Sequence, residues 1–256
     1  IKIDISVSDL ASNEAEATVG PFKVDKTPPK VSCHPPDQSR WYREDVTVPC
    51  TANDVTSGLA NPSDASFTLV ARGEGEAIPT GTHTVADKAG NIATAGPYTF
   101  KIDKTPPQIR YTPPDATRWY REDVSVRCTA SDSLSGLASA RDANFTLIAH
   151  GEGRAVSTGT RTVLDRAGNG ASVGPFTFKI DKTPPSGSLK INDGASTTYS
   201  LIVTLQVQAH DNLSGVSEMR FSNDGRTWSG WEPFKETRNN WDLSRFGGNP
   251  NKGSKT

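Results

Sequence analysis

The chain has 256 residues, of which 34% are hydrophobic and 22% charged, and its formal net charge is -1. Its 28 lysines and arginines are interspersed with 29 acidic residues and form no basic stripe, which argues against nucleic acid as a partner. No run approaches the roughly 18 apolar residues of a membrane-spanning helix, so no membrane span is predicted in this segment. The 22 glycines and 18 prolines fit short strands joined by turns and predict an all-β protein.

A six-residue marker occurs three times at a constant spacing. It reads VDKTPP at residues 24–29 and IDKTPP at residues 102–107 and 180–185, so successive copies lie 78 residues apart. Between the first two markers, residues 41–69 and 119–147 agree at 20 of 29 positions. A fixed period of this length indicates one small domain per period. The predicted domains are residues 26–103, 104–181 and 182–256, preceded by a partial segment, residues 1–25.

Within each period the hydrophobic residues alternate as they do in β-strands. DVSVRCTA puts Val124, Val126 and Cys128 on one face, and NFTLIAH pairs Phe145 with Leu147. Short strands in a unit of about 80 residues, without any helical period, predict a β-sandwich of immunoglobulin-like type. Each Asp-Lys-Thr-Pro-Pro segment is then a linker, because tandem prolines lack N–H donors for a sheet and stiffen an extended chain.

The recurring motifs, taken as a set, resemble those of a known family. WYREDV.V.CTA.D..SGLA, T.T..V.D.AGN and F.IDKTPP are similar to motifs of tandem bacterial Ig-like repeats, related in pattern to hyalin-type repeats, in large surface and secreted proteins. The stretch TLQVQAHDNLSGVSEMRFSNDGRTWSGWEPF, residues 204–234, is similar to another subtype in such arrays. The resemblance implies an extracellular or cell-surface location and a structural role as spacer, stalk or adhesin.

Residues 1–25 have the pattern of closing strands. SVSDLASN and GPFKVD match TVADKAGN and GPFTFKID of the repeats, whereas residues 182–256 break off at NPNKGSKT, where such strands are expected. Ile1, Ile3 and Ile5 alternate with polar residues, so that one face of this segment can enter a core. We therefore expect identical units to contact head-to-tail in a filament, with Lys255 and Thr256 leading to Ile1 of the next unit.

Two arrangements satisfy this expectation, and one further explanation competes with it. The units are either consecutive parts of one long chain of 256-residue super-repeats or separate subunits that complete one another by strand donation. The competing explanation is that the segment is an arbitrary fragment of a periodic chain.

The three cysteines fall in predicted strands. Cys33 lies in the first strand of the first repeat and Cys50 in the second, and the equivalent positions of the second repeat hold Tyr111 and Cys128. Adjacent strands predict a Cys33–Cys50 disulfide, and the resembling family often carries cysteines in these two strands. Two buried thiols are the alternative. A disulfide would indicate an oxidising, extracytoplasmic setting.

Aspartates recur at two equivalent positions. Asp54, Asp132 and Asp211 precede SGL or SGV, whereas Asp9, Asp87 and Asp165 precede A.N. They are calcium candidates, because hard cations need clustered carboxylate and carbonyl oxygens. Alternatively, each aspartate caps a tight turn through bonds to its own backbone. Neither motif has the alternating oxygen ligands of a calcium-binding loop, so no cofactor is predicted and calcium stays the alternative.

Tryptophans provide a rival function. Trp228, Trp231 and Trp241 crowd the third repeat, and exposed rings that stack on sugars would make this a carbohydrate-binding or other adhesive module with surface glycans as partners. Alternatively these rings fill a core, and their exposure distinguishes the two interpretations. No nucleophile elbow, phosphate loop or zinc-binding spacing occurs, and the four histidines do not recur at equivalent positions, so no enzymatic activity is predicted.

Overall fold

A computed structural model describes residues 1–250 of the chain, and the prediction of an all-β protein is confirmed for them. These residues form β-strands and three short 3₁₀ turns, Pro62–Ala65, Ala140–Ala143 and Asn192–Gly194. None of the helical turns among them has the length or apolar character needed to cross a membrane. The fold divides into two compact units: residues 1–110, 129–145 and 162–172 form the first, and the remaining described residues form the second. The domain boundaries predicted after residues 25, 103 and 181 stay predictions.

Residues 1–25 contain a β-hairpin whose side chains are exposed. Strands β1 (Ile3–Ser8) and β2 (Glu14–Val19) pair antiparallel, and every residue of both is exposed to solvent. Directly opposite residues of an antiparallel pair point to the same side of the sheet. The apolar residues therefore share one side, here named the hairpin face: Ile3, Ile5, Val7, Ala15, Ala17 and Val19.

The first repeat folds into eight short strands. They are β3 (Lys30–Cys33), β4 (Trp41–Tyr42), β5 (Val46–Asn53), β6 (Ser66–Ala71), β7 (Gly75–Pro79), β8 (His83–Ala86), β9 (Ile92–Ala95) and β10 (Thr99–Ile102). Their sheets have the orders β3-β5-β6, β4-β10-β7 and β8-β9. Strand β5 alternates strictly between buried and exposed residues, which is the period-2 pattern that its sequence predicts.

The core of the first repeat joins these sheets. Phe100 and Ile102 of β10 are fully buried and belong to one cluster with Val46, Val48 and Leu69. Burial of a side chain of this size stabilises a fold by about 1.5–3 kcal/mol. The packing therefore fixes β10, the strand that leads into the next linker.

All eight strands recur 78 residues later. The counterparts are β11 (Gln108–Tyr111), β12 (Trp119–Tyr120), β13 (Val124–Ser131), β14 (Asn144–Ala149), β15 (Gly153–Ser157), β16 (Arg161–Leu164), β17 (Gly170–Val173) and β18 (Thr177–Ile180). The sheet β12-β18-β15 repeats the order β4-β10-β7. Phe178 and Ile180 are buried at the positions of Phe100 and Ile102, because the same alternating pattern produces the same inward face.

The third repeat contains five further strands. They are β19 (Ser186–Ile191), β20 (Ile202–His210), β21 (Glu218–Met219), β22 (Glu232–Pro233) and β23 (Thr237–Asp242). The sheet order is β19-β20-β23, and β21 pairs with β22. Strand β19 is thus an edge strand, and its residues are mostly exposed. The core consists of Val203, Leu205, Met219, Phe221, Trp241 and Leu243.

Candidate functional site: the linkers and their carboxylates

The second and third Asp-Lys-Thr-Pro-Pro linkers are held by glutamates of two Gly-Glu-Gly (GEG) turns, residues 73–75 and 151–153. Glu74 Oε1 accepts hydrogen bonds from the Lys104 N–H at 2.6 Å and the Thr105 hydroxyl at 3.1 Å. Glu152 repeats this contact with the N–H of Lys182, at 2.5 Å. The recurrence of GEG was the only sequence signal for these residues, because the linker that each one binds lies 30 residues further along the chain.

The lysine of each of these two linkers makes a second contact. Lys104 Nζ lies 2.6 Å from Asp45 Oδ1, and Lys182 Nζ lies 2.5 Å from Asp123 Oδ1. The hydrogen bond from Lys182 outweighs the opposing effect of burial and, together with a bond from His150, lowers the pKa of Asp123 to about 2. Main-chain and side-chain contacts therefore fix both of these linkers.

The aspartate that opens the first linker lies in a group of three carboxylates. Asp25, Asp54 and Asp87 each offer an oxygen, and these three oxygens lie within 4.8 Å of one another. Asp54 follows β5 and Asp87 follows β8, and a bridge between Leu59 and Asp87 holds the two loops together. We refer to this group as the first triad.

Hydrogen bonds orient the carboxylates of the first triad. Asp54 Oδ1 accepts from the N–H groups of residues 56, 57 and 58, and Asp87 accepts from the N–H and the side-chain amide of Asn91. Burial opposes ionisation of both aspartates, but these bonds outweigh it and hold the pKa of each below its usual value. Asp54 thus caps its turn as the alternative interpretation describes, and it does so through Oδ1.

The second linker has the same arrangement, named here the second triad. Oxygens of Asp103, Asp132 and Asp165 lie within 4.8 Å of one another, and Asp103 and Asp165 are 0% and 2% exposed. The Ser135 N–H donates to Asp103 Oδ2, and the Asn169 amide donates to Asp165 Oδ2 and to the Asp103 carbonyl. Sequence analysis missed the linker aspartates, although one of them stands in every marker.

The third repeat contains counterparts of two aspartates of the second triad: Asp181 corresponds to Asp103, and Asp211 corresponds to Asp132. Asp181 Oδ2 accepts from the Ser214 N–H at 2.9 Å, as Asp103 does from its serine, and bonds from Ser214 lower the pKa of Asp181. Asp211 Oδ1 accepts from the Gly215 N–H at 2.7 Å. The groups of three carboxylates found among residues 1–250 do not include Asp211. The aspartate equivalent to Asp87 and Asp165 is Asp9 in the hairpin turn.

Two buried side-chain oxygens in the described part of the chain lack a hydrogen-bond partner, and both lie at the triads. They are Asp25 Oδ2 in the first triad and Ser135 Oγ at the second. Ser135 is 2% exposed. A buried polar atom without a partner destabilises a fold by about 1–3 kcal/mol, so these atoms call for an explanation.

The cysteine pair lies in the sheet β3-β5-β6. Cys33 and Cys50 are directly opposite each other and are joined by a disulfide, with 4.1 Å between their Cα atoms. Cys128 is a free, buried thiol, and burial raises its pKa.

One of the three candidate ligand-facing tryptophans lies in the core. Trp241 is 4% exposed, stacks on Phe246 with 5.2 Å between ring centroids, and donates from Nε1 to Asn223 Oδ1. The prediction that Trp241 faces a ligand is therefore corrected, because this ring points inward from β23 and fills the core of the third repeat.

The other two tryptophans are exposed and hold an arginine. Trp228 and Trp231 are 45% and 60% exposed. The Arg220 guanidinium carbon lies 4.7 Å from the ring centroid of the first and 4.5 Å from that of the second. These two rings and the buried Trp241 do not make the three-ring exposed platform on which the sugar-binding interpretation depends.

The residues predicted at the inter-unit junction are exposed where the structure describes them. Ile1, Ile3 and Ile5 are 74%, 59% and 55% exposed. Lys255 and Thr256 lie outside the described residues. In the third repeat, a groove of about 350 Å³ runs along β19 and is lined by Gly187, Leu189, Val207, Met219, Phe221 and Phe234.

Comparison with known proteins does not assign a family to the chain. A scan against models of protein families gives no match, and a search of curated proteins gives none either.

Proposed function

We propose that this chain is a structural repeat unit of an extracellular filament or cell-surface stalk, built of tandem immunoglobulin-like β-sandwiches that associate head-to-tail. The contact joins the hairpin face of one unit to the groove along β19 in the third repeat of the preceding unit. The exposure of the hairpin face is the observation that carries the proposal.

Hairpins with the same motif are buried elsewhere in the chain. Val85, in the β8-β9 hairpin, is 0% exposed, and Val163, at the same position of the second repeat, is also 0% exposed. The equivalent residue of the N-terminal hairpin, Val7, is 56% exposed. An apolar strand pair left in water is an association hazard, so a partner surface is expected to cover it.

The first repeat indicates where that partner surface lies. There, β9 runs beside β3, the first strand after the linker. The first strand after the third linker is β19, an edge strand without a neighbour on its outer side among the described residues. Its groove exposes Leu189, which is 52% exposed. A hairpin from another copy would occupy beside β19 the position that β9 occupies beside β3.

The carboxylates support the same alignment. Asp181 and Asp211 have the local hydrogen bonds of Asp103 and Asp132. Asp9 accepts bonds from the N–H and amide of Asn13, as Asp87 does from its own asparagine. A hairpin docked beside β19 would bring Asp9 of one copy to the Asp181–Asp211 pair of the preceding copy and complete a third triad.

A contact of this kind uses different surfaces on the two partners. Such a heterologous contact repeats without closing, unless its rotation happens to form a ring, and so produces a filament. If the units are consecutive parts of a longer chain, the same docking is intramolecular and is favoured by a high effective concentration. The Cys33–Cys50 disulfide supports an extracytoplasmic location, because disulfides persist in oxidising compartments.

Self-association of the full chain tests the proposal. Sedimentation velocity and negative-stain electron microscopy, at concentrations up to about 1 mM, a typical effective concentration for a short flexible linker, should show concentration-dependent linear oligomers. Val7→Lys on the hairpin face should leave monomers, since it puts a charge into the contact. Thr18→Lys, on the opposite face of the same hairpin and across from Asp4, is the matched control and should assemble normally.

A complementation experiment identifies the two surfaces. Leu189→Lys in the groove should also give monomers by itself. A mixture of Val7→Lys and Leu189→Lys chains retains one intact hairpin and one intact groove, and should therefore form dimers with a 1:1 composition and nothing larger. Wild-type protein that remains monomeric at the highest concentration, or a mixture without dimers, would contradict the proposal.

A further inference from the structure

The second triad brings three carboxylates together, two of them on buried residues. Asp103 and Asp165 are almost fully buried, and each offers an oxygen within 4.8 Å of the others in the triad, which also includes Asp132. Carboxylate oxygens this close repel one another electrostatically, and a bound cation would offset that repulsion. The ion pairs among residues 1–250 do not include any carboxylate of either triad.

The unpartnered oxygens point independently to a ligand. Ser135 Oγ is buried without a partner, on the residue whose N–H binds Asp103 Oδ2 at 2.9 Å. Asp25 Oδ2 is buried without a partner in the first triad. Each triad therefore has one orphaned oxygen beside it, on the linker aspartate of the first and on a loop serine of the second. A bound cation would give each of these oxygens an electrostatic partner, directly or through a coordinated water.

We propose that the first and second triads are two calcium-binding sites. Each site combines the carboxylate that opens a linker with carboxylates from the loops after the third and sixth strands of the following repeat. The proposal concerns residues of a single chain and does not depend on head-to-tail association.

The free oxygens suit a calcium ion. Asp54 and Asp132 accept their backbone bonds on Oδ1, which leaves Oδ2 of each available. Calcium binds oxygens at about 2.4 Å, so two ligands of one ion lie at most about 4.8 Å apart. The triad oxygens lie within that limit. Carbonyl groups and water would complete six to eight ligands.

The donor set argues against other common metals. Zinc in proteins favours histidine nitrogen and cysteine sulfur, and neither residue type belongs to the triads. Magnesium needs oxygens at about 2.0–2.1 Å in near-ideal octahedral geometry and gives up its water reluctantly. A bound calcium would tie each linker to two loops of the repeat that follows it.

Calorimetric titration of the metal-free full chain with calcium chloride tests the proposal. We expect two calcium ions per chain, with dissociation constants in the range of about 10⁻⁴–10⁻³ M that is typical of extracellular modules. Calcium should also raise the Tm relative to protein in EDTA. Asp54→Asn and Asp132→Asn should each remove one of the two sites, while Asn keeps an Oδ1 that accepts the turn bonds.

The control is a variant in which the same Asp→Asn substitutions are made at two aspartates outside the triads. Asp37 and Asp115 are equivalent turn aspartates that bind Ser39 and Thr117. The double variant Asp37→Asn/Asp115→Asn should still bind two ions, whereas Asp54→Asn/Asp132→Asn should bind at least tenfold more weakly. Ser135→Ala should weaken only the second site. An absence of saturable binding up to about 10 mM calcium, tenfold above that range, or an equal loss in the control, would overturn the proposal.

Discussion

The Glu74 carboxylate accepts a hydrogen bond from the main-chain N–H of Lys104, with 2.6 Å between Oε1 and N. The same carboxylate accepts from the Thr105 hydroxyl, so that two consecutive linker residues are bound by one side chain. Glu152 makes the equivalent contacts with Lys182 and Thr183. Hydrogen bonds thus hold the proline-rich linker against the turn between β6 and β7. The orientation of the linker depends on Glu74 as well as on its prolines.

Removal of the Glu74 side chain should loosen the linker. Glu74→Ala should lower the free energy of unfolding by about 1 kcal/mol, because an exposed charge-assisted bond is weaker than a buried one. Hydrogen exchange at the Lys104 amide should accelerate as well. Glu76→Ala, two residues further along, is the control, since its side chain lies outside this contact. Equal exchange rates at the Lys104 amide in the two variants would show that Glu74 does not hold the linker.

Acid should weaken the Asp123–Lys182 contact. The folded-state pKa of Asp123 is lowered to about 2, mainly by the bond from Lys182. A lowered pKa stabilises the fold above the unfolded-state pKa of about 4, and this stabilisation disappears as the pH falls towards 2. Urea denaturation between pH 6 and 2 should therefore show that wild type has the higher free energy of unfolding at pH 6. The free energies of wild type and Asp123→Asn should converge as the pH approaches 2. Parallel curves across that range would rule out this contribution.

Loss of the Asn169 amide should destabilise the second triad. The amide donates to the carboxylate of Asp165 and to the carbonyl of Asp103, both in buried residues. Asn169→Ala should lower the free energy of unfolding by about 1–3 kcal/mol, because it leaves buried acceptors without their donor. Asn144→Ala, on an exposed position of β14, is the control, and urea midpoints compare the two. A shift no larger than that of the control would contradict the assigned role.

Truncation of a buried ring should be the most damaging of these changes. Phe178 is 1% exposed and packs edge-to-face with Tyr120. Phe178→Ala should lower the free energy of unfolding by about 3–5 kcal/mol, through lost burial and the cavity that remains. Val55→Ala, at an 89% exposed position, should change it by less than about 0.5 kcal/mol. Denaturant titration measures both, and similar values would be incompatible with the assigned core.

Reduction of the disulfide should destabilise the first repeat. Cys33 and Cys50 are separated by 17 positions, and closing a loop of that size stabilises a fold by about 3 kcal/mol. Dithiothreitol should therefore lower the Tm of the wild-type protein. The variant Cys128→Ala should show the same sensitivity to reductant, because Cys128 takes no part in the bond. A Tm that does not respond to complete reduction would contradict the expectation.

Much of the local structure follows from the sequence alone. The alternation of Val46, Val48 and Cys50 predicts a strand with one buried face, because neighbouring side chains of a strand point to opposite sides. The 78-residue period predicts that the strands recur, and each strand of the first repeat does so. The recurrence of Asp54 and Asp132 before Ser-Gly-Leu also marks both loops as candidate sites without reference to the fold.

Only the tertiary structure decided which of these residues meet. The linker residue Asp25 joins the triad of Asp54 and Asp87, and its carbonyl accepts from the Asn91 amide, 66 positions along the chain. No local pattern encodes such a contact, because it arises when strands distant in sequence pack into one core. The inward direction of Trp241 was decided in the same way, since an apolar ring in a strand can face either a ligand or the interior until its neighbours are in place.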